Sequence, residues 1–280
     1  MTPKLSPDTP SFATHYLRMI PFNEDSVLST GTGFLYEYKN VYYLITNGHN
    51  ITRMNPEQTL RITNSAAFPV KIRTKFRASV DEKVDVMTLL PPIDIKLYKD
   101  EEFQKPIWLV HPNSGYLVDV VAIPLFDSKE LSKDVHLYPI NKFKFDTQFG
   151  PRVADDVFIL GYPFNITGGL ELPVWKKGSI ATEPNVPIDD LPKIFIDTAT
   201  RSGMSGSPVI MRRTGIHGFD GRKIKGDDII GTIENFIGIY SGRIGAENEF
   251  KAQLGVVWKK EVIDEILEAQ QVGDIKFQLK

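Results

Sequence analysis

Apolar and polar positions alternate in short runs along most of this chain. Phe34, Tyr36 and Tyr38 fall on one side of a period-two pattern, with Leu35 and Glu37 on the other. That spacing predicts a strand with two unlike faces. Lys39-Asn40 makes a short turn, and Val41–Thr46 is a second run rich in β-branched and aromatic residues, so the two read as a hairpin. Further strands are expected at 70–76, 84–90, 93–97, 117–123, 157–160, 174–181, 194–198, 208–211, 229–240 and 254–257. Helical spacing emerges late: Trp258, Val262, Ile266 and Ala269 share one face, and Lys260, Asp264 and Glu268 lie largely opposite. A single amphipathic helix over 258–270 is expected, although Ile263 and Leu267 blur its boundary. Many short strands with one terminal helix predict an all-β fold of closed or nearly closed antiparallel sheets. The polar stretch 126–152 divides the strands into two similar sets. The expected organisation is an N-terminal β-barrel over 12–125, a linker over 126–152, and a C-terminal β-barrel with the helix over 153–280.

Composition narrows the partners. The chain has 280 residues, 41% apolar and 24% charged, enough to bury a sizeable core. A net charge of −2 gives no electrostatic reason to expect nucleic acid or an acidic membrane as partner. There is no cysteine, which excludes disulfides, thiolate nucleophiles and cysteine metal sites. Such a chain suits a reducing compartment. Residues 1–20 lack the basic start, apolar run and small-residue cleavage site of a signal peptide, and no apolar stretch is long enough to span a membrane. The location expected from these features is cytoplasmic. No His-Glu-x-x-His spacing occurs, and the glycines at 31 and 33 lack the third glycine and following helix of a dinucleotide site, so neither metal nor cofactor is expected.

Chemistry concentrates in Gly203-Met204-Ser205-Gly206-Ser207-Pro208-Val209. Acyl transfer by serine needs a hydroxyl exposed on a tight turn and backbone N–H groups aimed at the oxygen of the tetrahedral intermediate. Gly203, having no side chain, can adopt the geometry that presents its N–H. The N–H groups of Gly203 and Ser205 are the expected oxyanion hole, where one donor is typically worth ~3–4 kcal/mol in the transition state. A plain Gly/Ser turn ahead of a strand would have the same composition. The nucleophile elbow of α/β-hydrolases wants glycine two residues after the serine, but position 207 is serine and no long helix follows.

His49 stands in Thr46-Asn47-Gly48-His49-Asn50-Ile51, where a strand gives way to a loop. A histidine so placed can reach a cleft while the sheet holds it, take the serine proton when neutral and return it to the leaving amine. Alone it would read as a solvated turn histidine, and His15, His111, His136 and His217 fit readings without a catalytic role. Gly31-Thr32-Gly33-Phe34 upstream and the serine motif downstream set it apart.

Together these motifs resemble the bacterial trypsin-like serine peptidases of the chymotrypsin fold. The resemblance rests on Gly31 to Phe34, Leu44 to Asn47 with His49, Gly203 to Pro208, Asp156-Val-Phe-Ile-Leu-Gly-Tyr-Pro163 and Asp197-Thr-Ala-Thr-Arg201, and it spans about residues 31–258. It implies two six-stranded antiparallel β-barrels with the active site between them. The chain order His…Asp…Ser agrees with that fold and not with subtilisin or the α/β-hydrolases. Gly48 and Asn50 depart from the Ala or Arg before, and Val after, the histidine in relatives.

The triad needs a carboxylate to fix the imidazole tautomer. Asp119 and Asp85 stand in similar apolar surroundings. Asp119 is preferred because its strand is the last before the polar linker; choosing Asp85 would leave two further runs after the barrel should have closed. By the resemblance, the primary pocket is walled by Ala199, Thr200 and Arg201 and by Tyr240, Ser241, Gly242 and Arg243. No acidic residue occupies 198–202, which argues against strict selection of Lys or Arg. Arg201 and Arg243 could instead favour an acidic side chain, or be solvated. The expected function is a serine endopeptidase acting on a polypeptide through His49, Asp119 and Ser205. The alternatives are an esterase with the same triad, a non-catalytic peptide-binding module, and a latent enzyme that waits for an activating protein partner.

Overall fold

A computed structural model describes residues 9–22, 26–62, 67–79, 87–131, 135–199, 201–218, 229–243 and 254–279. The first half contains a one-turn helix α1 (Pro10–Ala13), strands β1 (Thr14–Ile20), β2 (Ser29–Tyr38) and β3 (Val41–Thr46), a short helix α2 (Gly48–Thr52), and strands β4 (Lys71–Thr74), β5 (Arg77–Ser79), β6 (Met87–Leu89), β7 (Ile93–Lys96) and β8 (Val121–Asp127). The two-residue strand β9 (His136–Leu137) follows. The second half contains β10 (Asp156–Gly161), β11 (Val174–Ile180), β12 (Lys193–Asp197), β13 (Ser207–His217), β14 (Ile229–Arg243), β15 (Leu254–Lys259) and helix α3 (Glu261–Ala269).

The two sets form two rings, the chymotrypsin-like arrangement expected from the motifs. The first is a six-stranded antiparallel sheet in the order β7-β4-β1-β2-β3-β8. Its edges approach through the segment after β7, where Ile107 N–H donates to Leu97 O and Leu109 N–H to Ala122 O at the start of β8. The second is a closed six-stranded barrel, β10-β11-β12-β15-β14-β13. β5, β6 and β9 make a small separate sheet. Among the described residues no helix is long and apolar enough to cross a membrane.

The alternation in β2 is not a division between core and water. Leu35 packs inside the first ring with Leu17, Leu44 and Val121. Phe34 and Tyr36 pack between the rings, with Ile210, Phe236, Trp258 and the buried face of α3. Both faces of β2 are therefore interior. Val157, Ile159, Ile196, Val209 and Val257 fill the second barrel.

Some expectations need correction. Trp258 belongs to β15 and not to the helix, because it pairs with Lys193 on one side and Ile239 on the other. Helix α3 is accordingly shorter, and Ile263 and Leu267 lie on its buried face with Val262 and Ile266. β1 was not anticipated: Thr14, His15 and Arg18 masked its strand character, yet it lies mid-sheet between β2 and β4. The stretch 126–152 is polar but adherent. β8 continues through Asp127, β9 pairs with β5, and Phe143 and Phe145 pack on the cluster between the rings.

Candidate active site

β3, flanked by β2 and β8 in the first sheet, ends at Thr46, and Asn47 leaves it in an extended conformation to start α2. His49 thus projects from the first turn after a buried strand, on a rigid base. Across from it, Asp119 precedes β8 and is 2% exposed. Its carboxylate accepts from the His49 backbone N–H at 2.8 Å, from His49 Nδ1 at 2.6 Å, and from the Ser241 hydroxyl. The Asn47 side-chain amide holds the Asp119 carbonyl at 2.6 Å. A buried carboxylate is costly unless donors surround it, and these supply them. A carboxylate accepts only, so Nδ1 carries the proton and Nε2 is left with its lone pair on the far side of the ring. Burial pushes the His49 imidazolium down. The Asp119 charge and hydrogen bond outweigh it, so the pKa stands above the ordinary histidine value.

Ser205 lies on the turn that leads into β13. Two glycines with positive φ make that turn possible, Gly203 at +94° and Gly206 at +86°. A Cβ on Gly203 would stand 2.3 Å from the Tyr162 carbonyl oxygen, and one on Gly206 2.0 Å from that of Thr32. The first ring grips the turn directly. Ser205 O accepts from Thr32 N–H at 2.8 Å and from the Asn50 side-chain amide at 3.2 Å. Thr32 Oγ1 donates to Gly203 O at 2.8 Å. Asn50 follows His49 in the chain, so the serine turn is tied within one residue of the histidine.

The Ser202–Gly203 peptide is held as well. Ser202 O accepts from Phe164 N–H at 2.9 Å. In a trans peptide the N–H points opposite to the C=O, so that anchor directs the Gly203 N–H away from Phe164. Among the described residues, no hydrogen bond takes the N–H of Gly203 or of Ser205, and the Ser205 hydroxyl makes none to the His49 ring. Hydrogen bonds of this kind are often long in a free enzyme and tighten with substrate.

The residues expected at the pocket separate. Ser241 turns its hydroxyl to Asp119. Tyr240 is buried in the second barrel with its carbonyl on Gly206 N–H at 2.9 Å, and the Gly255 Cα lies against its ring. Gly242 and Arg243 continue β14, half-buried, Ala199 is half-buried, and Arg201 is exposed. Thr200 and Asp85 lie outside the described residues. Sequence reasoning gave no role to Thr32, Asn47, Asn50 or Phe164. Thr32 and Asn47 sat inside the quoted motifs, which was the available signal. Phe164 carried none, since it acts through its backbone. Among the described residues no group of His, Asp and Glu converges as metal ligands would.

The profile of the trypsin-like peptidase domain matches residues 31–216, well over half of the chain. The chain belongs to that family. This trypsin-like peptidase carries the serine protease fold, and the matched span runs from β2 into β13 and contains His49, Asp119 and Ser205. No curated protein matches it. Among solved structures it is similar to the serine endoprotease from Yersinia pestis, at 13% identity and a TM-score of 0.49, covering 95% of this chain and 67% of that one. It is also similar to Rv3671c from M. tuberculosis H37Rv, a mutant in its inactive form, at 14% identity and a TM-score of 0.44, covering 96% of each.

Proposed function

We propose that this trypsin-like peptidase is a serine endopeptidase with His49, Asp119 and Ser205 as its triad. The observation that carries the reading is the buried Asp119 carboxylate holding His49 Nδ1, with the Ser205 turn bonded to the residue next to that histidine. In the proposed reaction, Ser205 Oγ attacks the carbonyl carbon of the scissile peptide while His49 Nε2 takes its proton. The oxyanion that forms accepts from the N–H groups of Gly203 and Ser205. The imidazolium then gives its proton to the leaving amine as the C–N bond breaks, leaving an acyl ester on Ser205. Water, deprotonated by His49, attacks that ester, and the released serine recovers the proton. Asp119 keeps the ring in the Nδ1–H tautomer and stabilises the imidazolium; it does not itself take the proton.

The Phe164 and Thr32 anchors support an oxyanion turn that is formed before substrate arrives, because they engage both carbonyls flanking Gly203. The absence of an acidic side chain among residues 198–202 supports a preference other than Lys or Arg at the cleaved position.

The test is labelling with a fluorophosphonate, wild type beside Ser205→Ala, followed by cleavage of a peptide library. Labelling of the wild type alone, with internal peptide cleavage, is the expected result. A folded wild type that neither labels nor cleaves would overturn the proposal, and turnover of esters without peptides would move it to an esterase.

A further inference from the structure

The chain after α3 does not end its work at the helix. It turns back across the first ring and lies beside the segment that leads to Asp119. Val110 N–H donates to Gln271 O and Gly273 N–H to Trp108 O, both at 2.9 Å, and Leu109 bridges Val272 in antiparallel register. On its other edge Leu109 exchanges hydrogen bonds with Ala122 of β8. Residues 108–110 thus bridge β8 on one side and residues 271–273 on the other. Beyond it Phe277 is 1% exposed inside the first core, near Trp108 and Phe68.

The loop between residues 110 and 121 carries Asp119, and the tail holds that loop through one side chain. Tyr116 donates its hydroxyl proton to Asp274 O at 2.8 Å and accepts from Trp108 Nε1 at 2.9 Å. Its ring lies over Gly48: a Cβ built there would stand 3.3 Å from Tyr116 Cδ1 and 3.2 Å from Asp119 Oδ1. Tyr116 and Asp119 therefore share the space above the residue that precedes His49. The base of the loop is fixed further by His111, whose Nε2 reaches Glu265 of α3 at 2.5 Å and whose Nδ1 accepts from Ser114 N–H at 3.1 Å.

We infer that residues 271–274 of the tail, acting through Tyr116 as a positioning residue, set the Asp119–His49 contact. The inference rests on the proposed triad for its catalytic consequence, but the contact itself can be read without turnover. Packing this close transmits displacement: neither the tail nor the Tyr116 hydroxyl can move without releasing the ring that flanks Gly48. A misplacement near 1 Å at such a contact costs up to about a hundredfold in rate.

Two variants test it. Tyr116→Phe keeps the ring and removes the hydroxyl tie. Gly273→Ala places a methyl 2.3 Å from Trp108 Nε1 and so pushes the tail off residues 108–110. The reading is the titration of the His49 ring by NMR, for which Asp119 is the charged group acting on that ring among the described residues. The expected result is a lower His49 midpoint in both variants, with kcat reduced roughly tenfold or more and KM little changed. A purely structural role would lower Tm and leave the midpoint and kcat unchanged, and that result would overturn the inference. Should Gly273→Ala fail to fold, Tyr116→Phe decides alone. A wild type that titrates as expected but shows no hydrolysis would count against the triad and not against the buttress.

Discussion

Asp119 receives three donors on one carboxylate, two from His49 of α2 and one from Ser241 of β14, elements far apart in the chain. Replacing it by asparagine removes the charge and allows the wrong histidine tautomer, so Asp119→Asn is expected to lower kcat about 10⁴-fold with the fold intact. The pH profile tests the same contact. The proposed reaction needs neutral His49, and Asp119 holds the ring's pKa above the ordinary value of about 6.5, so the acid limb of kcat/KM should fall above that pH. In Asp119→Asn burial acts without the compensating charge, and the limb should move down. The linked stability has the matching sign. The raised pKa stabilises the fold below about pH 6.5, and the contribution is lost as pH rises through the folded-state value. His49 and Ser205 stood out in the sequence because each sits in a local pattern of strand ends and glycines, whereas Asp119 was separated from Asp85 only by the place of its strand, the last before the polar stretch. Ser241 did not stand out as a partner of Asp119, since 122 residues separate them and only the closing of the second barrel on the first brings the hydroxyl to the carboxylate.

At the scale of elements, the serine turn is built by its neighbours. β2 supplies Thr32, whose hydroxyl holds Gly203 O and whose own carbonyl accepts from Thr46 Oγ1 of β3 at 2.8 Å. Thr32→Val preserves shape and removes the donor, leaving the Gly203 carbonyl buried without its partner. That loss is typically worth about 1–3 kcal/mol. The expected outcome is a lower Tm together with a fluorophosphonate labelling rate reduced at least several-fold. A lower Tm with unchanged labelling would show that Thr32 supports the fold and not the turn. The hairpin β2–β3 and the strand after Ser205 were readable because turn residues punctuate clear period-two runs. β1 and the true end of β15 were not. Their strand character comes from two partners in the sheet, and a pattern along one chain segment does not contain its neighbours.

For the whole molecule, the question is what keeps two rings in register so that Asn50, next to His49 in one, bonds the serine turn of the other. The polar stretch led to an expectation of two strand sets, but no pattern along the chain pointed to a tie that runs through a buried arginine. Arg77, 1% exposed, donates to Thr14 O in the first ring and to Leu170 O, Glu171 O and the Tyr162 hydroxyl in the second half. Tyr162 in turn donates to Thr14 O or Glu171 O, each at 2.9 Å. Its carbonyl is the atom that a Cβ on Gly203 would strike, so the same residue borders the serine turn. Lys75 crosses the same boundary to Glu171 at 2.6 Å, but as a partly exposed ion pair. The two ties should therefore differ sharply. An exposed pair contributes about 0–1 kcal/mol, and Lys75→Met should shift the denaturant midpoint little. Arg77→Lys keeps the charge but cannot reproduce the planar fork, so it cannot serve all four acceptors, of which Thr14 O and the Tyr162 hydroxyl are buried, at a cost of about 1–3 kcal/mol for each buried group left unpaired. Because the stranded groups belong to both halves, the loss should appear as a lower denaturant midpoint with the two halves unfolding less cooperatively. Equal midpoints for the two variants would mean that packing of Phe34, Phe236 and α3 holds the rings together without the arginine.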